Sequence, residues 1–192
     1  RGLGDVYKRQ NIDSINVTCF DYCDGMIIAN NLSNFASNSG TAPYNYEWFD
    51  NNSNLVGTND SLNNICDGNY SLTVTDANGC INYKTASISQ PDKIIVFIDS
   101  IANVSVNGLA NGAITILVSG GDSIYNYNWY GPNGFTSSNQ NIFNLFAGSY
   151  YLIVNDQVGC FSDTLFILIS EPPAVSVNVD SVLTTFTTSC FG

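Results

Sequence analysis

The chain has 192 residues, with 5 basic against 16 acidic side chains, a net charge of −11 and no histidine. The shortage of Lys and Arg excludes a nucleic-acid-binding surface and docking on anionic membranes, because both need cationic side chains. Without histidine, no Ser-His-Asp triad, Cys-His pair or histidine-ligated zinc site can form. No apolar run approaches the roughly 20 residues of a membrane span. We therefore expect no enzyme and no membrane insertion in this segment.

The first ten residues differ from everything that follows. They hold Arg1, Lys8 and Arg9, three of the five basic residues of the chain. They are too short and too polar for the apolar core of a signal peptide. We interpret residues 1–10 as a non-native leader.

The remainder of the chain repeats itself at an offset of 80 or 81 positions. Trp48 returns as Trp129, and Cys80 returns as Cys160. Matches at a fixed offset indicate one structural unit used in series. The pattern predicts a first repeat over residues 11–91 and a second over residues 92–173. A third begins at residues 174–192, where Cys190 matches Cys19, and we interpret this piece as the first strand of a truncated unit.

Each repeat predicts an all-β domain. Val, Ile, Thr and aromatic residues are frequent, and short alternating runs are separated by polar turns. The dipeptide Asn78-Gly79 is a strong hairpin signal. Six or seven such strands favour an Ig-like or fibronectin-like β-sandwich, with a small barrel as the alternative. We expect a structural core that contains Trp48, Trp129, Tyr70 and Tyr150.

The six cysteines indicate disulfides and an oxidising compartment. Cys19 and Cys80 belong to the repeat itself, whereas Cys23 and Cys66 occur in the first copy only. The sequence therefore favours Cys19–Cys80 and Cys23–Cys66, although four cysteines allow three connectivities. Val106 stands where a partner for Cys160 would stand in the second copy. We expect Cys160 to be free, with a Cys160–Cys190 bond as the alternative.

Two groups of residues are candidate binding sites. The carboxylates of the first copy could gather at one end and hold calcium, which prefers oxygen ligands; these are Asp21, Asp24, Asp67 and Asp76. Aspartate also caps turns through its own backbone bonds, which is the alternative. Four tyrosines could stack on sugars if they were exposed, or else pack in the core; these are Tyr44, Tyr46, Tyr125 and Tyr127. No other cofactor is expected.

The combined motif resembles the SprB-type repeat. It comprises Val17-Thr18-Cys19-Phe20, Pro43-Tyr44-Asn45-Tyr46-Glu47-Trp48, the run from Gly68-Asn69-Tyr70 to Asn78-Gly79-Cys80, and Ser89-Gln90-Pro91. The second copy departs from it at Val106, Ile124 and Gln157-Val158. That repeat occurs in large surface adhesins of gliding bacteria and in other secreted proteins of the same bacterial group.

This resemblance implies an adhesive or structural segment of a large secreted surface protein, located at the cell surface or outside the cell, with gliding motility as a theme. Its expected partners are neighbouring repeats of the same chain and extracellular polysaccharide or surfaces. The alternative is a carbohydrate-binding or spacer module in a secreted polysaccharide-processing enzyme.

Overall fold

The computed structural model describes residues 12–29, 40–178 and 180. The interpretations of residues 1–10 as a leader and of the segment around Cys190 as a third unit lie outside this range. Between residues 12 and 178 the described chain forms fourteen β-strands and one short 3-10 turn at Pro132–Gly134. In these same segments no helix is long and apolar enough to cross a membrane.

The first unit consists of seven strands. They are β1 (Ile12–Ile15), β2 (Gly25–Ala29), β3 (Asn45–Phe49), β4 (Leu55–Gly57), β5 (Ser61–Ile65), β6 (Gly68–Thr75) and β7 (Ile81–Ile88). They form one sheet in the order β1-β2-β5 and a second in the order β4-β3-β6-β7. All neighbouring strands are antiparallel.

The second unit repeats this arrangement strand for strand. Its strands are β8 (Ile95–Ala102), β9 (Gly112–Ser119), β10 (Tyr125–Tyr130), β11 (Thr136–Ser137), β12 (Ile142–Leu145), β13 (Gly148–Asp156) and β14 (Leu165–Ile169). The sheet orders are β12-β9-β8 and β11-β10-β13-β14. Because each unit has two separate sheets of three and four strands, the sandwich prediction is confirmed over the small-barrel alternative.

One tryptophan lies at the centre of each sandwich. Trp48 on β3 pairs with Leu72, and Trp129 on β10 pairs with Leu152. Both indoles are at most 1% exposed. Each indole N–H donates to a backbone carbonyl. The acceptor is Asn59 at 2.9 Å in the first unit and Asn139 at 3.0 Å in the second. The large rings are therefore buried without leaving an unpaired donor.

A tyrosine near the start of the sixth strand closes each core. The Tyr70 hydroxyl donates to the carbonyl of Cys66 at 3.0 Å, and the Tyr150 hydroxyl donates to that of Phe146 at 3.0 Å. This bond back to the chain four residues upstream is the tyrosine corner of Ig-like sandwiches. Burial raises the pKa of both phenols. Both rings are buried, in the core where the alternating pattern places them.

The strand directions separate the loops into two groups at opposite ends of each unit. In the first unit, the β1–β2 loop (residues 16–24) and the β5–β6 connection lie at one end. The β6–β7 hairpin lies at the other end, where the Thr41 N–H donates to the Asp76 carboxylate at 3.1 Å. The eight-residue strand β6 separates the ends by about 26 Å, at roughly 3.3 Å per residue.

Candidate functional site at the junction of the two units

A disulfide joins the two units. Cys19 in the β1–β2 loop of the first unit is bonded to Cys160 in the β13–β14 hairpin of the second, across 141 residues of sequence. Their Cα atoms lie 5.4 Å apart, within the range of ordinary disulfides. The predictions of a Cys19–Cys80 bond and of a free Cys160 are wrong. Among the residues that the structure describes, the free cysteine is Cys80, and it is exposed.

The direction of β7 explains why Cys19 does not pair with Cys80. Cys80 directly precedes β7, and after the eight residues of that strand the chain reaches Ser89, whose carbonyl accepts from the Val17 N–H at 3.1 Å. Cys19 and Cys80 therefore lie at opposite ends of the unit, separated by about 26 Å of strand. A disulfide tolerates no more than about 7 Å between Cα atoms.

A second disulfide lies within the first unit. Cys23 and Cys66 are bonded across 43 residues, as the sequence predicts. The bond ties the β1–β2 loop, which carries Cys19, to the connection that carries the Tyr70 hydrogen-bond acceptor. It therefore braces the end of the first unit that faces the second.

The hairpin that presents Cys160 is organised by Asp156. One carboxylate oxygen accepts from the backbone N–H groups of Gly159 at 2.9 Å and Cys160 at 2.8 Å. The other accepts from Asp122 N–H at 3.3 Å. Asp156 is 2% exposed. A buried carboxylate needs such donors, and in return it holds the cysteine backbone in one conformation.

The loop that presents Cys19 is held to the inter-unit connection. The Asp21 N–H donates to the Gln90 side chain at 2.7 Å. Thr18 donates from its N–H at 3.0 Å, and also from its hydroxyl, to the Asp24 carboxylate. These bonds lower the pKa of Asp24, with the hydroxyl bond contributing most. The Cys160 sulfur lies 3.3 Å from the Thr18 carbonyl oxygen.

A cleft of about 280 Å³ opens beside the disulfide. Phe20 and Tyr22 line it from the first unit, and Lys93 and Phe161 line it from the second. The Lys93 ammonium pairs with Asp163 at 2.8 Å, so that cation is already neutralised at the edge of the cleft. The junction therefore combines a covalent bond with a cleft that both aromatic and charged side chains line.

The structure does not assemble the candidate calcium ligands. Asp21, Asp24, Asp67 and Asp76 are all described, and among the described residues no group of three or more carboxylate or cysteine side chains could hold a metal. Asp76 caps its own hairpin, accepting from the N–H groups of Asn78 and Cys80 at 2.9 and 2.8 Å. Hydrogen bonds to backbone N–H groups, those of Thr41 and Cys80 foremost, lower its pKa. The turn-capping interpretation describes Asp76 correctly.

The candidate sugar-binding tyrosines do not form an exposed row. All four rings pack against the cores as partly buried side chains; they are Tyr44, Tyr46, Tyr125 and Tyr127. The hydroxyls of Tyr44 and Tyr125 donate to the carbonyls of Gly40 and Gly120. Burial raises the pKa of both Tyr46 and Tyr127. Nearby Asp60 and Tyr44 add a smaller increase at Tyr46, and Tyr125 adds one at Tyr127. Their ring faces contribute to packing.

The sequence analysis missed the bond between units because it assigned Cys19 to Cys80 of the same repeat, and the only partner it considered for Cys160 across a boundary was Cys190 in the following unit. The signal was present: the second copy keeps the hairpin cysteine, Cys160, and replaces the loop cysteine with Val106. Across the junction, Cys160 forms its disulfide with Cys19, the loop cysteine of the first copy.

No family model matches the chain, and neither does any curated protein. Among solved structures, the chain is similar to the three N-terminal domains of the bacteriophage RB49 highly immunogenic outer capsid protein (Hoc). The TM-score is 0.50 and the identity 16%, and the match covers 83% of this chain and 57% of that one. The chain thus corresponds to little more than half of that structure.

Two further structures are similar at lower scores. Fibronectin(III)-like modules of Clostridium thermocellum CbhA give a TM-score of 0.35 at 13% identity, covering 84% of this chain and 93% of that chain. A C-terminal fragment of intimin, in complex with the intimin-binding domain of the translocated intimin receptor, gives a TM-score of 0.40 at 12% identity. This match covers 84% of this chain and 63% of that chain. At such identities the likeness concerns the fold alone.

Proposed function

We propose that this chain is a tension-bearing structural segment of a secreted bacterial surface adhesin, built from SprB-type repeats. The tandem sandwiches, the acidic surface and the two disulfides support an extracellular structural or adhesive role. The resemblance of the repeat motif supports the assignment to this class of adhesin. The observation that carries the proposal is the Cys19–Cys160 disulfide.

This bond changes the path that force takes through the chain. A pull that enters ahead of β1 reaches Cys19, crosses the disulfide to Cys160, and leaves through β14. Strands β2 to β13 lie inside the closed loop, outside this covalent path. A sandwich in a simple tandem array would instead have to resist the full tension through its own hydrogen bonds.

The shielded length is large. The loop spans 141 residues, which corresponds to about 480 Å of extended chain at roughly 3.4 Å per residue. Unfolding inside the loop therefore cannot lengthen the segment. An inextensible joint suits a filament that must transmit motion or hold a surface at a fixed distance.

Single-molecule force spectroscopy tests this function. The chain is pulled from its two ends in its oxidised form and compared with a Cys19→Ser/Cys160→Ser variant. We expect the variant to gain about 330 Å of fully extended length, because Cys23–Cys66 still locks its 43 residues. Reductant should extend this gain to about 480 Å.

A Cys80→Ser chain is the matched control, since it removes a thiol and leaves both disulfides in place. It should extend like the parent chain. Equal extension of the parent and the Cys19→Ser/Cys160→Ser variant would overturn the proposed load path.

A further inference from the structure

We propose that Cys80 is the site of a second inter-unit disulfide, formed with the loop cysteine of a preceding unit of the same kind. This rests on the proposed serial function, because it requires another unit in the position that the first unit occupies relative to the second. The partner is thus a cysteine in a loop equivalent to residues 16–24.

The hairpins around Cys80 and Cys160 have the same geometry. In the first, one Asp76 carboxylate oxygen accepts from the Cys80 N–H at 2.8 Å; in the second, Asp156 accepts from the Cys160 N–H at 2.8 Å. The aspartate N–H donates to the cysteine carbonyl at 3.0 Å in both. The preceding glycine, Gly79 or its counterpart, has a positive φ in both.

The second contact of each aspartate is also repeated. The other oxygen of Asp76 accepts from the Thr41 N–H at 3.1 Å, and that of Asp156 accepts from the Asp122 N–H at 3.3 Å. Thr41 and Asp122 are equivalent positions of the two repeats. Cys80 is therefore presented on the same framework as a cysteine whose pairing is known from this structure.

The two cysteines differ in what covers them. Cys160 is 6% exposed and bonded to the loop cysteine of the unit before it. Cys80 is exposed and unbonded. A partner inside the first unit is excluded, because Cys19 lies at the opposite end, and Cys23 and Cys66 are bonded to each other.

The loop side of the joint is equally well defined. Cys19 is held in a loop that is anchored to the end of its own unit through Val17 and Asp21. The second unit keeps this anchoring: the Val104 N–H donates to Ser170, and the Gly108 N–H donates to Glu171 at 2.7 Å. Any repeat with this loop and a cysteine in place of Val106 therefore presents its thiol in the manner of Cys19.

A bond at Cys80 would give the Cys23–Cys66 disulfide a mechanical role. Force arriving at Cys80 would run back along the chain to Cys66, cross to Cys23, and continue to Cys19 and the second unit. That path avoids most of the first sandwich. It explains why the added disulfide lies at the same end as Cys19.

The chemistry is a thiol–disulfide exchange with a low-molecular-weight disulfide such as oxidised glutathione. The Cys80 thiolate attacks one glutathione sulfur and releases a glutathione thiolate. The loop cysteine then attacks the mixed disulfide, forms the protein disulfide and releases the second glutathione thiolate. Two protein thiols are oxidised, and one glutathione disulfide is reduced to two thiols.

The test uses the full chain with an additional copy of residues 12–91 placed ahead of residue 12. The added copy carries Ser14→Thr as a mass mark and Cys80→Ser, so that the only remaining Cys80 is the original one. After refolding in a glutathione buffer, the protein is alkylated, cleaved at aspartates without reduction, and analysed by mass spectrometry. We expect the marked Cys19 peptide to be linked to the peptide of Cys80.

A matched protein in which the original Cys80 is also changed to Ser should contain one more free thiol in a denaturing thiol titration. If the marked Cys19 and Cys80 are both alkylated while the Cys19–Cys160 bond is intact, this inference is overturned and the proposed function stands. Loss of the Cys19–Cys160 bond in the parent chain would instead defeat the proposed function. Pairing of the marked Cys19 with any other cysteine would also overturn the inference.

Discussion

The two units share their framework and differ in how they are reinforced. Both have the same sheet orders, the same tryptophan pairing and the same tyrosine corner. The first adds the exposed Cys23–Cys66 disulfide. The second has no cysteine at those positions. The shared features specify the sandwich, while the differences lie where a unit meets its neighbours or braces its own loops.

The second unit has a cross-strand aromatic cluster instead. Tyr130 stacks on Tyr151 with ring centroids 4.8 Å apart, and Tyr151 contacts Phe166 at 6.1 Å. In the first unit the three equivalent positions hold Phe49, Ser71 and Thr85, so only one of them is aromatic. Such cross-strand aromatic pairs stabilise a sheet by roughly 0.2–1 kcal/mol each. Because the stacked faces of Tyr130 and Tyr151 are turned toward each other, this pair serves packing between strands.

The largest expected effect comes from the tryptophans. Trp48→Ala should destabilise the first unit by about 3–5 kcal/mol, because it removes the largest buried side chain of that core. Since the chain has two tryptophans, the fluorescence of Trp129 then reports on the second unit alone during denaturant unfolding. Its transition should stay in place, and Trp129→Ala should give the reciprocal result. A shift of the remaining tryptophan's transition in either variant would contradict the picture of two separate cores.

Removing the added disulfide should sharpen the same comparison. Cys23→Ser/Cys66→Ser should lower the stability of the first unit by about 2–4 kcal/mol, because the unfolded chain regains the freedom of a 43-residue loop. Hydrogen-exchange mass spectrometry should show faster exchange in β2 and β6. Peptides from β9 and β13 serve as the internal control and should be unchanged. Equal acceleration in the second unit would show that the bond braces the whole segment.

The smallest expected effect concerns the tyrosine corners. Tyr70→Phe and Tyr150→Phe should each cost about 1 kcal/mol at neutral pH through loss of one hydrogen bond. Because burial raises the pKa of each phenol above the usual tyrosine value of about 10, the phenol of the unfolded chain ionises first. The contribution of each tyrosine is therefore complete below pH 10 and is lost as pH rises through the folded pKa.

Thermal unfolding at a series of pH values measures this. The difference in unfolding temperature between the parent chain and each Phe variant should become smaller above pH 10, and it should do so in both units. A gap that stayed constant with pH would contradict the ionisation argument. A gap in one unit only would show that the two corners are not equivalent.

Much of the fold was predictable from local patterns. Apolar and polar residues alternate up to Trp48 and Trp129, and again from Tyr70 and Tyr150 onward. This alternation identifies strands with one face in a core, because side chains point to alternate faces along a strand. The hairpin at Asn78-Gly79 follows from backbone preferences of two residues. Cys23–Cys66 was predictable because both cysteines are additions to the same copy.

The candidate site was less predictable, because its residues meet only across the junction. The β1–β2 loop of one unit faces the β13–β14 hairpin of the next, and no local pattern encodes that meeting. The same holds for Asp156, whose burial depends on the backbone of Asp122 folding over it. Both are consequences of how distant segments are packed.

The amino-acid sequence by itself determined the serial construction, the all-β sandwich, the core residues and the absence of histidine chemistry, because these depend on composition and on periods of two residues. The tertiary structure decided which cysteines pair. Strand β7 carries Cys80 away from Cys19, and the junction brings Cys160 to it. Disulfide choice is a matter of distance in space, and that distance is set by strand direction and by the contact between units.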